Sequence, residues 1–180
     1  VGIVLTSRDL WRLNVLIPYR YLPFTDQQIY HIYNRGSEKR ITFLDKRDYK
    51  RFLKTLRYYQ LSGPKPKLSH FFKYQRFKVE QAQKIVEVLA YCLMPNHFHL
   101  LVKQLNDGGT TEMFSKLSLS YTKYFNTKYN RVGPLFQGEF KAVHIEDDEQ
   151  LIHVSRYIHL NPIASFLTRD LNKFEYSSYL

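Results

Sequence analysis

The order of strands and helices predicted for this chain of 180 residues is that of an α+β sandwich of the ferredoxin-like type. Three observations predict this fold class. Two strand-like runs are joined by a short turn, helical periodicity appears on both sides of them, and a further strand-like run lies at each end of the series. The resulting order, β-α-β-β-α-β plus a C-terminal helix, predicts a central antiparallel sheet with helices on one face. This fold carries many functions, so the order alone selects none.

The first strand and the first helix lie in the N-terminal third. The run Ile29-Tyr30-His31-Ile32-Tyr33 is rich in β-branched and aromatic residues, and it stops at the turn signal Asn34-Arg35-Gly36. Asp45 is a suitable N-cap for a helix that continues to about Tyr59, because apolar residues then recur at helical spacing. The other face of this helix is basic and carries Lys46, Arg47, Lys50, Arg51, Lys54 and Arg57.

Two segments do not follow the strand and helix pattern. Residues 1–24 contain two prolines and show no clear period, so we assign them as an N-terminal extension of a domain that spans 25–180. Residues 61–84 begin with a Gly- and Pro-containing break and carry six Lys or Arg residues against one acid. We interpret them as a basic insertion with a short helix at its end. Because the chain begins with Val1, we also expect one or both ends of the natural protein to lie outside it.

The most strand-like part of the chain is a hairpin. Residues 85–93 are almost continuously apolar, Met94-Pro95-Asn96 forms the turn, and residues 97–102 return. This near-continuous apolar character predicts that both strands are central in the sheet.

The second half of the chain adds two helices and a strand. Helical spacing returns over 111–126 and is broken at Gly133-Pro134, after which residues 135–145 are predicted to be extended. The acidic residues 147–149 open a last helix, where they favour the positive end of the helix dipole. We expect this helix to run from 150 to about 160 and to end before Pro162, because the residue before a proline avoids the α region.

Composition narrows the classes of function. Lys plus Arg is 27 and Asp plus Glu is 16, which gives a net charge of +11, and aromatic residues make up 16% of the chain. This balance favours a polyanionic partner, above all nucleic acid. A membrane surface is disfavoured, since the basic residues are spread along the chain. The single Cys92 excludes an internal disulfide framework, and its apolar neighbours indicate a core position.

The strongest local chemical signal is His97-Phe98-His99 in the second hairpin strand. Residues two apart in a strand point to the same face, so the two imidazoles would stand about 6–7 Å apart and could hold one cation. The same pattern also fits two histidines that share a half-exposed face without a ligand.

A second signal lies in the last helix. Tyr157 and Asn161 are four residues apart and therefore share one helix face. An amide carbonyl is a plausible ligand for a hard cation, and a tyrosine beside it would meet a substrate bound to that cation. The plainer interpretation is a half-buried aromatic residue followed by a helix-end cap.

Five short segments follow one another in a recognisable order. They are YHIYNRG at 30–36, MPNHFHLLV at 94–102, GPLFQGEF at 133–140, RYIHLNP at 156–162 and YSSY at 176–179. Together they resemble the single-tyrosine transposases with a histidine–hydrophobic–histidine (HUH) motif, and more narrowly the REP-associated tyrosine transposases and their IS-like relatives.

This resemblance implies a metal site and a nucleophile. Members of that family hold Mg²⁺ or Mn²⁺ with the two histidines and one further polar residue, and the matching positions here are His97, His99 and Asn161. Their nucleophile is a helical tyrosine one turn before the third ligand, which matches Tyr157. The second candidates are three tyrosines near the preceding helix: Tyr121, Tyr124 and Tyr129. Because a histidine must be neutral to bind a metal, activity is expected to fall below about pH 6.

The implied function is that of a transposase. It would be a metal-dependent single-strand DNA endonuclease and strand transferase that acts on hairpin-associated DNA through a 5′-phosphotyrosine intermediate. The candidate DNA contacts are Asn34, Arg35, Lys50, Lys54 and Lys123. The aromatic residues expected to stack on bases are Phe71, Phe72, Tyr74 and Phe77. The resemblance further implies a cytoplasmic protein, monomeric or homodimeric, with no membrane partner.

Three other functions stay open at this point. A domesticated relative would bind DNA without cleaving it. A ferredoxin-like RNA-binding protein would expose Tyr91 and Phe98 on strand faces, although the sequence signature of such proteins is absent. A metal-dependent phosphoesterase with water as its nucleophile would share the metal site and would not need Tyr157.

Overall fold

The main strands and helices follow the predicted order β-α-β-β-α-β with a last helix after them, and three short elements lie within the predicted insertion. The computed structural model describes residues 23–63, 67–73 and 82–179, without the side chain of Phe72. The elements in chain order are β1 (Ile29–Arg35), α1 (Lys46–Tyr59), β2 (Leu61–Ser62), α2 (Leu68–Lys73), β3 (Gln83–Lys84), β4 (Val86–Met94), β5 (His97–Gln104), α3 (Gly109–Lys128), β6 (Lys141–Ile145) and α4 (Asp148–Ala164), with 3₁₀ turns at Ser37–Lys39 and Leu171–Lys173.

Four of the strands form the main sheet. Their spatial order is β4-β5-β1-β6, and every neighbouring pair is antiparallel. The hairpin β4–β5 therefore lies beside β1, and β6 pairs with the other edge of β1. This is the strand order of a ferredoxin-like sandwich, and it confirms the predicted fold class.

The two faces of the sheet are covered by different helices. On one face, Ile32 and Phe98 are fully buried in a core shared with Phe52 of α1 and Tyr121 of α3. On the opposite face, Cys92 belongs to a smaller core that is closed by α4. The predicted helices on one face are therefore α1 and α3, while the additional C-terminal helix lies across the other face.

The first strand is longer than predicted. It continues past Tyr33 to Arg35, so Tyr33 is paired with His99 and Arg35 with His97 on β5. The expected turn follows only at Gly36, where an added Cβ would clash with the carbonyl oxygen of Arg40. This extension brings Arg35 to the face of the sheet that carries the two histidines.

The prediction that both hairpin strands are central was wrong for β4. This strand lies at an edge of the sheet. Its outer side is covered by the C-terminal segment, since the N–H of Leu93 donates to the carbonyl of Tyr176 and the N–H of Ser178 donates to the carbonyl of Tyr91. Cover at the edge, together with helices on both faces, explains why an edge strand is so apolar.

The prediction that the last helix ends before Pro162 was also wrong. Helix α4 continues to Ala164 with Pro162 inside it. The N–H of Ser165 donates to the carbonyl of Asn161, so the backbone after the proline still has a helical partner. Pro162 is buried, and this burial offsets the loss of its own N–H.

Helix α1 begins as predicted. The Asp45 side chain accepts from the N–H groups of Arg47 and Asp48, and the Asp48 side chain accepts from the N–H of Asp45 in return. This reciprocal capping box satisfies free donors at the helix start.

The predicted insertion is only partly described. Strands β2 and β3 pair at its two ends, and the short helix α2 lies between them, while the helix predicted near the end of the insertion falls on residues outside those described. Residues 64–66 and 74–81 are outside the described residues, as are residues 1–22 of the predicted extension and both Tyr74 and Phe77. Of the described segments, no helix has the length and apolar character needed to cross a bilayer.

Candidate functional site

The two histidines of the HUH motif lie next to each other on β5. His97 and His99 have ring centroids 5.0 Å apart. The ring of His99 is buried, with 1% of the residue exposed, and its Nδ1 lies 2.9 Å from Nε2 of His31 on β1. The Nδ1 of His97 lies 2.6 Å from Oδ1 of Asn96 in the turn. In both rings Nδ1 is engaged, which leaves Nε2 as the atom available to a ligand.

Burial keeps these imidazoles neutral. It lowers the pKa of His31 to about 4, and burial together with the positive charge of Arg35 lowers the pKa of His97 to about 4. Burial and the two neighbouring histidines also hold the pKa of His99 well below its usual value. Neutral imidazole is the form that can bind a metal ion, and these rings are in that form at neutral pH. The loss of activity that the sequence predicts below about pH 6 is therefore shifted to lower pH.

Helix α4 brings Tyr157 over the histidines. The Tyr157 ring packs edge-on against the rings of His99 and His31, with ring centroids 5.3 Å and 6.1 Å apart. Burial raises the pKa of the Tyr157 hydroxyl, and the neighbouring Asn161 side chain opposes this rise. The hydroxyl is therefore protonated at neutral pH, and a group that favours its deprotonated form lies one helical turn away.

Asn161 keeps the predicted relation to Tyr157 despite the proline that follows. Asn161 is 8% exposed, and its side-chain amide donates a hydrogen bond to the backbone carbonyl oxygen of Tyr157 at 2.8 Å. This bond fixes the side chain on the helix face that carries Tyr157. The amide oxygen is the atom of Asn161 that could serve as a cation ligand.

The donor set fits a divalent cation bound with open coordination positions. Nε2 of His99 is buried and has no hydrogen-bond partner among the described residues, which is the state expected of an atom reserved for a ligand. In the described part of the chain no three His, Cys, Asp or Glu side chains form a metal site. The fit therefore depends on two imidazoles and one amide oxygen, and water and phosphate oxygens would complete the coordination.

The three second-choice tyrosines lie elsewhere. Tyr121 is fully buried and its hydroxyl donates to the carbonyl of Thr42. The hydroxyls of Tyr124 and Tyr129 donate to the carboxylate of Asp48. These residues belong to the core between α1 and α3, on the other side of the sheet from His97 and His99. Their hydroxyls serve the fold, and Tyr157 is the candidate that lies at the histidines.

Two residues of the site were missed as functional candidates. Tyr33 is paired with His99 in the register, its ring is 5.9 Å from the His99 ring, and burial, with a smaller effect of Tyr157, raises its pKa to about 12. His31 lies in the strand-like run at 29–33, and that run alone gives no sign of its contact with His99. The alternation His31, Tyr33, Arg35 along β1 was the available signal, but it required the strand to extend to Arg35 and its pairing with β5 to be known.

The candidate DNA contacts differ in their placement. Asn34 is buried, its amide donates to the carbonyl of Gly138 and its oxygen accepts from the N–H of Arg35, so this geometry gives no support for a DNA contact. Arg35 lies opposite His97, and its Nε is buried without a hydrogen-bond partner in the described segments. Lys50 and Lys54 are exposed on α1.

Lys123 belongs to a separate basic surface. It lines an open cleft of about 470 Å³ between α1, α2 and α3, together with Arg51 and Lys128. This cleft lies on the side of the sheet away from the histidines. Phe71, which was expected to stack on bases, is half-buried and its ring lies 5.1 Å from that of Tyr58.

The aromatic residues required by the RNA-binding alternative are not on an open strand face. Phe98 is fully buried in the larger core, and Tyr91 is half-buried against it. Because stacking on bases needs exposed rings, the structure disfavours that alternative.

The solved structures that match this chain include the following two. One is described as a REP-associated tyrosine transposase bound to a REP hairpin; it is 17% identical, has a TM-score of 0.57, and the match covers 91% of this chain and 83% of that chain. The other is a bacterial tRNA(His) guanylyltransferase-like protein in complex with GTP, with 12% identity, a TM-score of 0.45 and coverage of 84% and 71%. No curated protein matches the sequence.

The family is shown by the sequence itself. The family described as "Transposase IS200 like" matches residues 69–161, which is more than half of the chain. The matched segment contains the histidines of β5 and ends at Asn161, so it includes each residue that we single out as a metal ligand or nucleophile. The chain belongs to the family of IS200-like transposases.

Proposed function

We propose that this protein is a metal-dependent single-strand DNA endonuclease and strand transferase that acts on hairpin-associated DNA through a phosphotyrosine formed at Tyr157. One observation carries the proposal: the Tyr157 ring of α4 packs edge-on against the buried ring of His99 at 5.3 Å. The two residues are far apart in sequence, and the packing of α4 on the sheet brings them together. Their meeting is expected if a nucleophile has to reach a phosphate held at the histidines.

The proposed metal site consists of His97, His99 and Asn161. Mg²⁺ or Mn²⁺ bound there would offset the negative charge of the scissile phosphate and stabilise the charge that develops in the transition state. The residues themselves supply no negative charge, since two imidazoles and an amide are neutral. Such a site keeps the full positive charge of a cation available to the substrate, which suits a phosphodiester.

Arg35 would add to this preference for an anion. It lies across the strand pair from His97, and its buried Nε has no hydrogen-bond partner among the described residues. An arginine can donate two parallel hydrogen bonds to phosphate oxygens. We propose that Arg35 donates hydrogen bonds to the phosphate next to the cleaved bond.

The chemical step exchanges one phosphodiester for another. The Tyr157 oxygen attacks the phosphorus and forms an O–P bond, while the bond from phosphorus to the 3′ oxygen of the preceding nucleotide breaks. The phenolic proton passes to solvent, and the leaving 3′ oxygen takes up a proton and becomes a hydroxyl. The neighbouring Asn161 side chain favours the phenolate as that proton leaves. Attack by a 3′ hydroxyl on the phosphotyrosine reverses these bond changes and joins two strands without ATP.

Hairpin DNA is the proposed partner. One solved structure that resembles this fold is described as bound to a REP hairpin. This chain offers a net charge of +11, exposed lysines on α1 and a basic cleft that includes Lys123. The cleft and the histidines lie on opposite sides of the sheet, so a folded DNA would have to contact both sides: its stem at the basic surface and its single-stranded flank at Tyr157.

The test is the formation of a covalent adduct. Hairpin DNA with labelled single-stranded flanks is incubated with the protein in Mn²⁺ or in EDTA, and denaturing gels separate free DNA from protein-linked DNA. We expect an adduct that requires Mn²⁺, that is lost in Tyr157→Phe and that persists in the control Tyr129→Phe. Flanks of randomised sequence remove the need to know the recognised site.

Other outcomes identify the alternatives. Cleavage that persists in Tyr157→Phe would replace the proposal with a phosphoesterase that uses water. Binding without cleavage across the whole flank library would favour a domesticated DNA-binding protein.

A further inference from the structure

A third histidine is hydrogen-bonded to the HUH motif from a neighbouring strand. Nε2 of His31 lies 2.9 Å from Nδ1 of His99, and the two rings are stacked with centroids 5.1 Å apart. Between two neutral imidazoles only one nitrogen of such a pair can carry the proton. The position of that proton decides whether the other nitrogen of His99 is a donor or a free lone pair.

The surroundings of His99 favour one arrangement. Its Nε2 is buried without a hydrogen-bond partner among the described residues. A proton on Nε2 would therefore be a buried N–H without an acceptor, which costs about 1–3 kcal/mol. A proton on Nδ1 is instead donated to His31, and the lone pair of Nε2 stays free. Only this second tautomer can bind a cation through Nε2.

We propose that His31 is a positioning residue that accepts the Nδ1–H of His99 and thereby orients Nε2 of His99 toward the divalent cation. This inference rests on the metal site of the proposed function and assigns a role to a residue outside that ligand set. Acceptors behind ligating histidines commonly fix the tautomer and the ring orientation in this way.

The geometry separates this role from two others. His31 does not serve as a further ligand through Nε2, because that atom is directed at Nδ1 of His99. Nor is it only a packing residue, because its Nε2 is hydrogen-bonded to Nδ1 of His99 in addition to the contacts of its ring with those of Tyr33 and Tyr157, whose centroids lie 5.1 and 6.1 Å away. Loss of its nitrogen should alter cation binding even when the ring volume is kept.

The experiment measures Mn²⁺ affinity in the absence of DNA, by electron paramagnetic resonance of free Mn²⁺. His31→Phe keeps an aromatic ring and removes the acceptor, and we expect it to weaken Mn²⁺ binding by about 10- to 100-fold. His31→Gln places an amide oxygen near the position of Nε2 and should bind within a few-fold of wild type. The matched control is His144→Gln, since His144 lies on the opposite face of the sheet and its Nε2 bonds Gln28.

A second measurement needs no substitution. Nitrogen-15 NMR of the metal-free wild-type protein reports the tautomer of each histidine, and we expect His99 to carry its proton on Nδ1. This readout decides the matter if His31→Phe fails to fold.

The outcomes distinguish failure of this inference from failure of the proposed function. A His99 tautomer with the proton on Nε2, or Mn²⁺ binding by folded His31→Phe as tight as that of wild type, would overturn the role of His31 alone. A wild-type protein that binds no Mn²⁺ would overturn the metal site and this inference together.

Discussion

The carboxylate of Asp48 joins α1 to α3, and its replacement by asparagine tests how much that junction contributes to stability. The Asp48 side chain has 0% exposed surface. Its two oxygens accept five hydrogen bonds, from the N–H groups of Leu44 and Asp45 at 2.8 and 3.1 Å, the hydroxyls of Tyr129 and Tyr124 at 2.8 and 3.0 Å, and Nζ of Lys128 at 2.7 Å. Asparagine has the same shape, but it offers one acceptor oxygen and places two donors where the other oxygen was.

The expected loss in the free energy of unfolding follows from the hydrogen bonds that asparagine cannot accept. If its oxygen keeps the two N–H groups and Tyr129, its amide faces Lys128 and Tyr124 on the other side. Two lost hydrogen bonds to a charged group, at about 1.5–3 kcal/mol each, amount to roughly 3–6 kcal/mol. This range agrees with the cost of breaking a buried ion pair, about 3–5 kcal/mol. We therefore expect Asp48→Asn to lower the free energy of unfolding by about 3–5 kcal/mol, equivalent to roughly 6–20 °C in Tm for a chain of this size.

Urea denaturation at pH 7 measures this loss as a lower midpoint with an unchanged slope. The matched control is the exposed Asp107→Asn, which should stay within about 0.5 kcal/mol of wild type. Burial alone would raise the pKa of Asp48, but the hydrogen bonds from Lys128 and Tyr129 outweigh it and hold the pKa below its usual value. The stability from this group is therefore present above about pH 4 and is lost on acidification, and Asp48→Asn should lack this part of the acid dependence. A loss below about 1 kcal/mol at pH 7 would refute the reasoning.

Four further predictions concern the site and the DNA surface. Burial lowers the pKa of His97 to about 4, so Mn²⁺ affinity should change little between pH 8 and about pH 5.5 and should fall only below that. Mn²⁺ titrations at a series of pH values measure this, and a decline in affinity that starts near pH 6.5 would contradict the burial argument. Arg35→Gln should slow adduct formation about 10- to 100-fold and change hairpin affinity little. Single-turnover cleavage measures the rate and a gel shift measures the affinity; equal losses of rate and affinity would make Arg35 an ordinary DNA contact. Lys123→Glu should weaken hairpin binding and reduce the slope of log affinity against log salt by about 1, whereas an unchanged slope would remove the basic cleft from the interface. Cys92 is buried and burial raises its pKa to about 12, so iodoacetamide should leave the native protein unmodified and alkylate it in urea; rapid native alkylation would contradict its core position.

Local sequence patterns predicted most of the elements and pointed to the residues with chemical potential. The capping signal at Asp45, the hairpin turn at residues 94–96 and the acidic start of α4 each depend on neighbours in the chain, and the structure has all three. The spacing of His97 and His99 sets their common face without any tertiary information. The family, too, was recognisable from short segments in their order, and the family match bears it out.

Local patterns failed where a distant segment supplied the missing partner. The apolar β4 was expected in the middle of the sheet, but the C-terminal segment covers it at an edge. Pro162 was expected to end α4, but its burial and the bonds beyond it carry the helix on to Ala164. In both cases the free energy came from contacts that no window of neighbouring residues contains.

The sequence by itself determined which residues could do chemistry, and the tertiary structure decided which of them meet. The resemblance ranked Tyr157 above Tyr121, Tyr124 and Tyr129, and the sheet then showed that Tyr157 lies at the histidines while the other three lie on the opposite face. The hydrogen bond between His31 and His99 needed the pairing of β1 with β5, which joins residues 68 positions apart. Alternation along a strand determines which face of the sheet a side chain lies on. The register between strands determines which side chain lies next to it, and that register is set by packing of the whole sheet against its helices.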